Sequence, residues 1–434
     1  MQKKILYVHH GSVLGGAPTS LKYLLEGLRR SGDFRLKVLC VYPSMVPFFQ
    51  SVPEVEVARI AIRHLALGRL LIGLESLTNW RSLARGLLEL VGLPLSVRRQ
   101  AQVIRREQPD VVHLNSAVLL STAIAARLCG VPLVWHVREV VQGSRWNPRR
   151  WLAGRVIRCL ADRVIAISEA EAASLGSDRE GKVVVIYNSL DLEEFSESAV
   201  SDRGDVSRLQ LEGLSPDEPF VVSLGGAVFR KGPVELVEAA RHLSNRVTIA
   251  IAGMPPRVTA TRGPSRWLCA ASLWTENLLR QFRLKAYYSW CYQTRLSSAL
   301  RAASGARVSF LGMVTDVPGL IARSTAVIFA GTTPHFARPI YEAWAMKKPV
   351  IVFDTHGIQE QVDDQVDGLV VRDKTGRGLA RAIETILADS VRARAMGENG
   401  YKKVVARFDM MSNAQKVNAL YRSLIGEVSE IHEQ

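Results

Sequence analysis

Cysteine is scarce in this 434-residue sequence and is arranged for no obvious chemistry. Cys40, Cys129, Cys159, Cys269 and Cys291 are odd in number and form no CxxC pair, so neither a disulfide framework nor a zinc ribbon is expected. Most lie in apolar runs and read as buried free thiols, which suits a reducing cytoplasm. GxGxxG is absent, and so is GxxxxGKS/T, which disfavours Rossmann nicotinamide binding and P-loop chemistry. Long apolar runs are also missing. Leu65–Leu74 is broken by Arg69 and followed by Glu75, and nothing reaches the roughly 20 apolar residues of a spanning helix. Ile5–Val8 is too short for a signal-peptide core and reads as a first strand. The expectation is a cytoplasmic protein, soluble or peripheral on the inner face of the cell membrane. RRM, KH and zinc-finger patterns are absent, so no nucleic-acid partner is expected.

Acidic residues are few relative to basic ones. Asp+Glu number 41 against 56 Lys+Arg, a net charge of +15, which implies an anionic partner such as lipid or a phosphorylated substrate. The rest of the composition is that of a globular enzyme, 47% hydrophobic and 22% charged. At roughly 150 residues per domain the length predicts two or three domains.

Short β-branched runs alternate with helical patterns. They are Lys4–His9, Leu36–Val41, Val111–Leu114, Leu133–Val137, Val164–Ile167 and Val183–Tyr187, then Phe220–Leu224, Val247–Ala252, Val308–Leu311, Ala326–Ala330 and Val350–Phe353. Continuous apolar strands alternating with helices predict parallel sheets, and hence an α/β fold with two doubly wound, Rossmann-like domains. The polar segment Ser196–Glu218 is the linker candidate. The predicted domains are 1–200 and 217–412, with a closing helix in 413–434 that packs back on the first. Ligands in such sheets bind beyond the carboxyl ends of the strands, so a central cleft between two facing domains is expected to hold the site. Two stretches break the rhythm. Arg59–Arg106 has nine arginines and two acidic residues interleaved with leucines, a basic amphipathic composition. Pro255–Arg307, rich in Trp, Tyr and Arg, is far too long for a connection and predicts inserted helices.

Four segments carry candidate chemistry. After the first predicted strand, Gly15-Gly16 opens the backbone ahead of a helical pattern starting at Leu21, suiting an anion or simply a tight turn. His136, near the end of a strand, is placed either to polarise a hydroxyl or to bond neighbouring backbone; His113 reads as structural. Gly225-Gly226 followed by Arg230-Lys231-Gly232 offers two cations at a turn, suited to a diphosphate or to solvent. In Phe336-Ala337-Arg338-Pro339, the proline suits a first helical turn, so nearby amides would form an anion cradle. Glu342, one turn on, can accept a pair of hydrogen bonds from a vicinal diol or simply favour the helix dipole.

This ordered set resembles glycosyltransferase family 4, whose members have the GT-B fold. The resemblance spans most of the chain. It includes Gly15-Gly16, Ala161-Asp162-Arg163-Val164-Ile165-Ala166-Ile167-Ser168, Ile186-Tyr187-Asn188-Ser189-Leu190-Asp191, Lys231-Gly232 and Phe310-Leu311-Gly312 with Thr315-Asp316. It continues through Arg338-Pro339-Ile340-Tyr341-Glu342-Ala343, Lys348-Pro349-Val350-Ile351 and Asp367-Gly368-Leu369-Val370-Val371. The resemblance implies an acceptor-binding first domain and a nucleotide-sugar-binding second one. It implies a retaining transferase using a UDP- or GDP-linked sugar as substrate, with no cofactor and no metal. The acceptor would be lipid-linked or a polysaccharide, with an anionic membrane surface as a further partner. His136, Arg230 and Lys231 would be catalytic. Gly15, Gly16, Gly226, Lys231, Met313, Phe336, Ala337, Arg338 and Glu342 would bind the donor, Lys231 at the diphosphate and Glu342 at the ribose. Two departures stand out. Pro334 occupies the place of the family's first glutamate, with His335 beside it, and Gly226 that of an arginine. They motivate the alternative of a catalytically weak, nucleotide-sugar-binding partner subunit. A nucleotide-sugar epimerase is the other alternative.

Overall fold

The computed structural model describes residues 2–12, 14–61, 65–72, 80–141, 147–202, 214, 218–243, 247–253, 285–303, 307–332 and 336–427. It divides into two compact units, Met1–Leu190 with Arg407–Gln434, and Asp191–Ala406. The crossings fall at 190/191 and 406/407 rather than at 200 and 412, because backbone bonds tie both crossings to the first unit. The Leu190 N–H donates to Phe408 O (2.8 Å) and the Met410 N–H to Leu190 O (3.1 Å).

The first unit is built on a parallel sheet of β1 (Lys3–His9), β2 (Phe34–Cys40), β3 (Glu56–Arg59), β4 (Val111–Leu114), β5 (Leu133–Val137), β6 (Arg163–Ala166) and β7 (Val183–Val185). Its order is β3-β2-β1-β4-β5-β6-β7. Both faces are covered, which is why the strands read as unbroken apolar runs. In β1, Ile5 and Tyr7 enter one core with Leu21, Val38 and Tyr421, while Leu6 and Val8 enter the other with Leu114 and Ile157. The first helix spans Gly16–Ser31, beginning a turn earlier than Leu21. Pro18 falls in its first turn, where backbone N–H groups have no helical partner to lose. The helix Met410–Leu424 adds Ala414, Val417 and Tyr421 to this unit's core.

The second unit repeats the plan with β8 (Phe220–Leu224), β9 (Thr248–Ala252), β10 (Val308–Gly312), β11 (Ala326–Phe329), β12 (Val350–Phe353) and β13 (Gly368–Val371). The order is β10-β9-β8-β11-β12-β13, again parallel. From the long connection after β9, the helix Lys285–Ala302 packs Leu296 and Ala299 against Val234 and Val237. Residues 254–284 lie outside the described residues. Strand order reverses at β1/β4 in one unit and at β8/β11 in the other, and each reversal opens a crevice at the strands' carboxyl ends. Among the described residues no helix is long and apolar enough to cross a membrane.

Candidate functional site

In the second unit, β8 runs into Gly225-Gly226 and a short 3-10 turn, Phe229–Lys231, before the helix Pro233–Ala240. The Gly225 and Gly226 N–H groups both donate to Ala252 O, at 3.0 and 2.7 Å, which ties the turn to the end of β9. The amide of Gly226, a residue the resemblance implies in donor binding, is therefore already used. The turn is held to β11 as well, since the Thr332 N–H donates to Arg230 O at 3.1 Å. Gly232 has φ +65, and a Cβ there would lie 2.3 Å from Ala330 O. Gly232→Ala should therefore cost about 1–3 kcal/mol for its backbone conformation alone. It should also displace Arg230 and Lys231 without removing a charge. A thermal melt paired with an anion titration checks both effects.

Lys231 is the electrostatic centre of this turn. Its ammonium lies 4.7 Å from the centre of the Phe329 ring at the end of β11. Among the described residues it has no carboxylate partner. Burial, and then the neighbouring Arg230, lower its pKa from 10.5 to about 8. Arg230 itself is exposed. A desolvated cation at a switch point with no anion of its own is a place for an anionic ligand.

Beyond β11, the helix Arg338–Ala345 carries Pro339 in its first turn. The anion cradle expected here is not formed by Ala337. Its N–H donates to Gln361 Oε1 at 2.8 Å, and Gln361 Nε2 returns a bond to Ala337 O. Phe336 is buried, 6.5 Å from the Tyr341 ring. Arg338 donates to Glu342 Oε1 and forms an ion pair with it. Glu342 is buried, and among the described residues Arg338 is its side-chain hydrogen-bond donor, at Oε1. Pro334 and His335 lie outside the described residues. Met313, just past β10, is exposed, and the nearby Asp316 caps the helix Val317–Arg323 by accepting from the Gly319 N–H.

In the first unit, polar side chains gather where β1, β4 and β5 end. A Cβ at Gly15 or Gly16 would meet nothing within 4 Å, so packing does not demand glycine there. A Cβ at Gly11 would lie 2.5 Å from His9 Nε2, so that position has no room for a side chain. Arg138 Nε donates to Asn115 Oδ1 at 2.6 Å, and Asn115 Nδ2 to His9 Nδ1 at 2.9 Å. The guanidinium settles the amide orientation, and the amide settles the histidine. His9, whose pKa burial lowers to about 3, is neutral with its proton on Nε2. Arg138 also donates to Asn188 Oδ1. Glu139 accepts from Ser116 Oγ (2.6 Å) and from the Ala117 N–H (3.0 Å).

His136, on β5, is 4% exposed. It meets His113 on β4, with 3.2 Å between His136 Nδ1 and His113 Nε2. Burial and the Arg138 charge hold both imidazoles well below the usual histidine range. His136 lines a small cavity with Ser20, Arg138, Tyr187 and Asn188. His9, Asn115 and Arg138 join this polar cluster although motif reading did not single them out as candidates. Their signal was three polar strand ends, His9-His10, Asn115-Ser116 and Arg138-Glu139, in an otherwise apolar sheet.

Comparison with known proteins places this geometry. The family model described as Glycosyltransferase Family 4 matches residues 14–194, and that described as Glycosyl transferases group 1 matches residues 210–403. The chain is 28% identical over 343 residues to the lipopolysaccharide core biosynthesis mannosyltransferase LpcC of Rhizobium leguminosarum bv. viciae, covering 79% of this chain and 84% of that one. It is 27% identical over 323 residues to the lipopolysaccharide core biosynthesis glycosyltransferase LpsE of Rhizobium meliloti, covering 74% and 77%. Its fold is similar to that of HepE from Anabaena, solved in complex with UDP-glucose, with a TM-score of 0.70 at 21% identity over 97% of this chain and 99% of that one. Two family models that together run through both sheets, and two switch-point sites built on strand ends, lead to one assignment: the chain is a glycosyltransferase with the two-domain α/β architecture of the GT-B fold and belongs to glycosyltransferase family 4.

Proposed function

We propose that this enzyme is a retaining transferase that moves a sugar from a UDP- or GDP-linked donor to a lipid-linked or polysaccharide acceptor in bacterial surface-glycan assembly. Lys231 carries the reading: a half-buried ammonium with no carboxylate partner among the described residues, at the switch point of the second sheet. The lipopolysaccharide relatives and the UDP-glucose complex of HepE support the substrate class. In the proposed reaction the bond from the anomeric carbon to the diphosphate oxygen breaks. The acceptor hydroxyl oxygen bonds that carbon from the same face, and its proton passes to the departing diphosphate. Lys231 and Arg230 take up the charge growing on the diphosphate, with no resident metal invoked. Glu342 Oε2 accepts from the ribose hydroxyls. His136 contacts a sugar or acceptor oxygen. Gly15 and Gly16 leave their backbone open to ligand. Labelled UDP- and GDP-sugars incubated with purified enzyme and bacterial membranes test this. Label should enter the lipid or polysaccharide fraction only with enzyme present. Donor isomerised without acceptor, or no donor consumed, would count against the reading.

The Lys231 ammonium sets a pH dependence. Below pH 8 it is charged and binds a diphosphate; above pH 8 the free enzyme loses that charge. UDP affinity should fall about tenfold between pH 7 and pH 9. Calorimetry should find net proton uptake on binding near pH 8, because the bound anion raises the lysine's pKa. Lys231→Ala should remove both the slope and the uptake.

The membrane partner rests on the helix Trp80–Glu107. Leu87, Leu88, Val91 and Leu95 are 56, 74, 83 and 55% exposed. Their spacing of three and four residues puts them on one stripe, and Arg85, Arg98 and Arg99 are exposed nearby. Such an array suits an anionic bilayer on the cytoplasmic face, where each basic residue near the surface adds about 1 kcal/mol. The enzyme should float with phosphatidylglycerol vesicles at low salt and not with phosphatidylcholine ones. Val91→Glu with Leu88→Glu should leave it at the bottom of the gradient.

A further inference from the structure

His136 ends a chain of four buried side chains that begins at Tyr7 on β1 and passes through the last helix. Tyr7 Oη and Tyr421 Oη are 2.8 Å apart, Tyr421 Oη and His113 Nδ1 are 2.6 Å apart, and His113 Nε2 and His136 Nδ1 are 3.2 Å apart. Tyr7, Tyr421 and His113 are fully buried. Each contact has one hydrogen to share, so the chain has two possible directions. In one, Tyr7 donates to Tyr421, Tyr421 to His113 Nδ1, and His113 Nε2–H to His136 Nδ1; His136 then carries its proton on Nε2. In the other every bond reverses, and His136 Nε2 is a bare lone pair.

The two directions differ in where a donor is left over. Among the described residues Tyr421 is Tyr7's one hydrogen-bond partner, so reversal strands the Tyr7 hydroxyl hydrogen in the core. The forward direction instead leaves the spare donor on His136 Nε2, which has no partner among the described residues. That side chain borders the small cavity shared with Ser20, Arg138 and Asn188. His136 Nε2 is itself buried, but its side chain lines that cavity, so a small shift of the lining would bring a ligand oxygen or a water to it, whereas Tyr7 is enclosed in the core.

We infer that the Tyr7–Tyr421–His113 relay fixes His136 as the Nε2–H tautomer, so that His136 serves the reaction as a hydrogen-bond donor to a sugar, acceptor or phosphate oxygen and not as a base. Tyr421, on the helix that closes the chain, is thereby a positioning residue for a side chain 285 residues earlier in sequence. This deepens the proposed transfer reaction and rests on it for the identity of the oxygen. The tautomer does not depend on that reading.

Long-range proton–nitrogen NMR of histidine-labelled enzyme tests it, with His136→Ala and His113→Ala to assign the signals. In the wild-type enzyme at pH 7.5, both His113 and His136 should show a protonated Nε2 and an unprotonated Nδ1. In Tyr421→Phe, checked as folded by its melt, the His136 signals should move toward a tautomer mixture. kcat should fall about tenfold with KM for the nucleotide sugar unchanged. Protonated Nδ1 on wild-type His136 overturns the inference, as does a Tyr421→Phe enzyme that keeps the wild-type tautomer or the wild-type kcat. The ligand-free spectrum needs neither donor nor acceptor, so it stands or falls separately from the transfer assay.

Discussion

Lys231→Ala should lower kcat/KM for the nucleotide-sugar donor by about 10²–10³-fold, the size of effect seen when a preorganised charge or donor is removed from a reacting oxyanion. Folding should not suffer. The lysine stem lies along Gly225 and its ammonium over Phe329, with no ion pair to lose among the described residues. Burial holds its pKa at about 8 against the usual 10.5, so at pH 7 the folded chain pays for keeping the charge. Between those two values the unfolded chain binds the proton more tightly, and this penalty is relieved as pH rises. Lys231→Ala should therefore melt no lower than the wild-type enzyme at pH 7. Lys231→Arg should not restore turnover, because the larger planar guanidinium presents its charge as a fork and does not place a compact point charge where the ammonium sits. Steady-state kinetics and melts on the two variants check this. A large kinetic loss accompanied by a large drop in melting temperature would point instead to a structural lysine.

Trp344→Ala should be the most damaging single change to the second unit, at about 3–5 kcal/mol. Trp344 is fully buried on the same helix as Glu342. Its Nε1 donates to Asp367 O at 2.8 Å, and Lys403 Nζ stands 5.1 Å from its ring centre. A Cβ on Gly400 would lie 2.0 Å from Trp344 Cδ1, so the ring is packed directly on the helix Ser390–Arg407. Removing it opens a cavity behind the helix that holds Glu342, so donor affinity should fall in the surviving folded protein as well. Trp344→Phe keeps most of the volume but leaves Asp367 O without its donor, at about 1–3 kcal/mol. Urea unfolding of the three proteins, following the second unit's transition, should rank them wild type, Phe, Ala. An alanine variant as stable as the phenylalanine one would contradict this packing account.

The architecture was legible because its strands are buried on both faces. Unbroken runs such as Val111–Leu114 and Val350–Phe353 fell at the observed strands. The two strands left unread, β3 and β13, each lie at an edge of a sheet. Glu56–Arg59 is half polar and only partly buried, and Gly368–Val371 opens on a glycine. Several motif residues in the family resemblance turn out to support the frame. Ser168 caps a helix, Asp162 accepts from the Leu133 N–H, and Asp367 pairs with Lys403. At the candidate site, Lys231 and Glu342 were readable because local sequence places them, one at a glycine-rich turn and one inside a helix start. Ala337 was misread for a reason that no local pattern contains, since the partner that claims its amide, Gln361, lies on another segment. The relay behind His136 was hidden in the same way. Its bond from Tyr421 to His113 spans 308 residues, and a tyrosine on an amphipathic helix gives no sign of facing a histidine.

A nucleoside diphosphate is expected to bind at the Lys231 turn. Titration of UDP, GDP, ADP and TDP into the wild-type enzyme and into Lys231→Ala and Glu342→Ala tests it by calorimetry. One nucleotide should bind saturably, and each substitution should weaken it about tenfold or more, which corresponds to about 1.4 kcal/mol. Four nucleotides that bind no better than millimolar, or a Lys231→Ala enzyme that binds as tightly as the wild type, would contradict it.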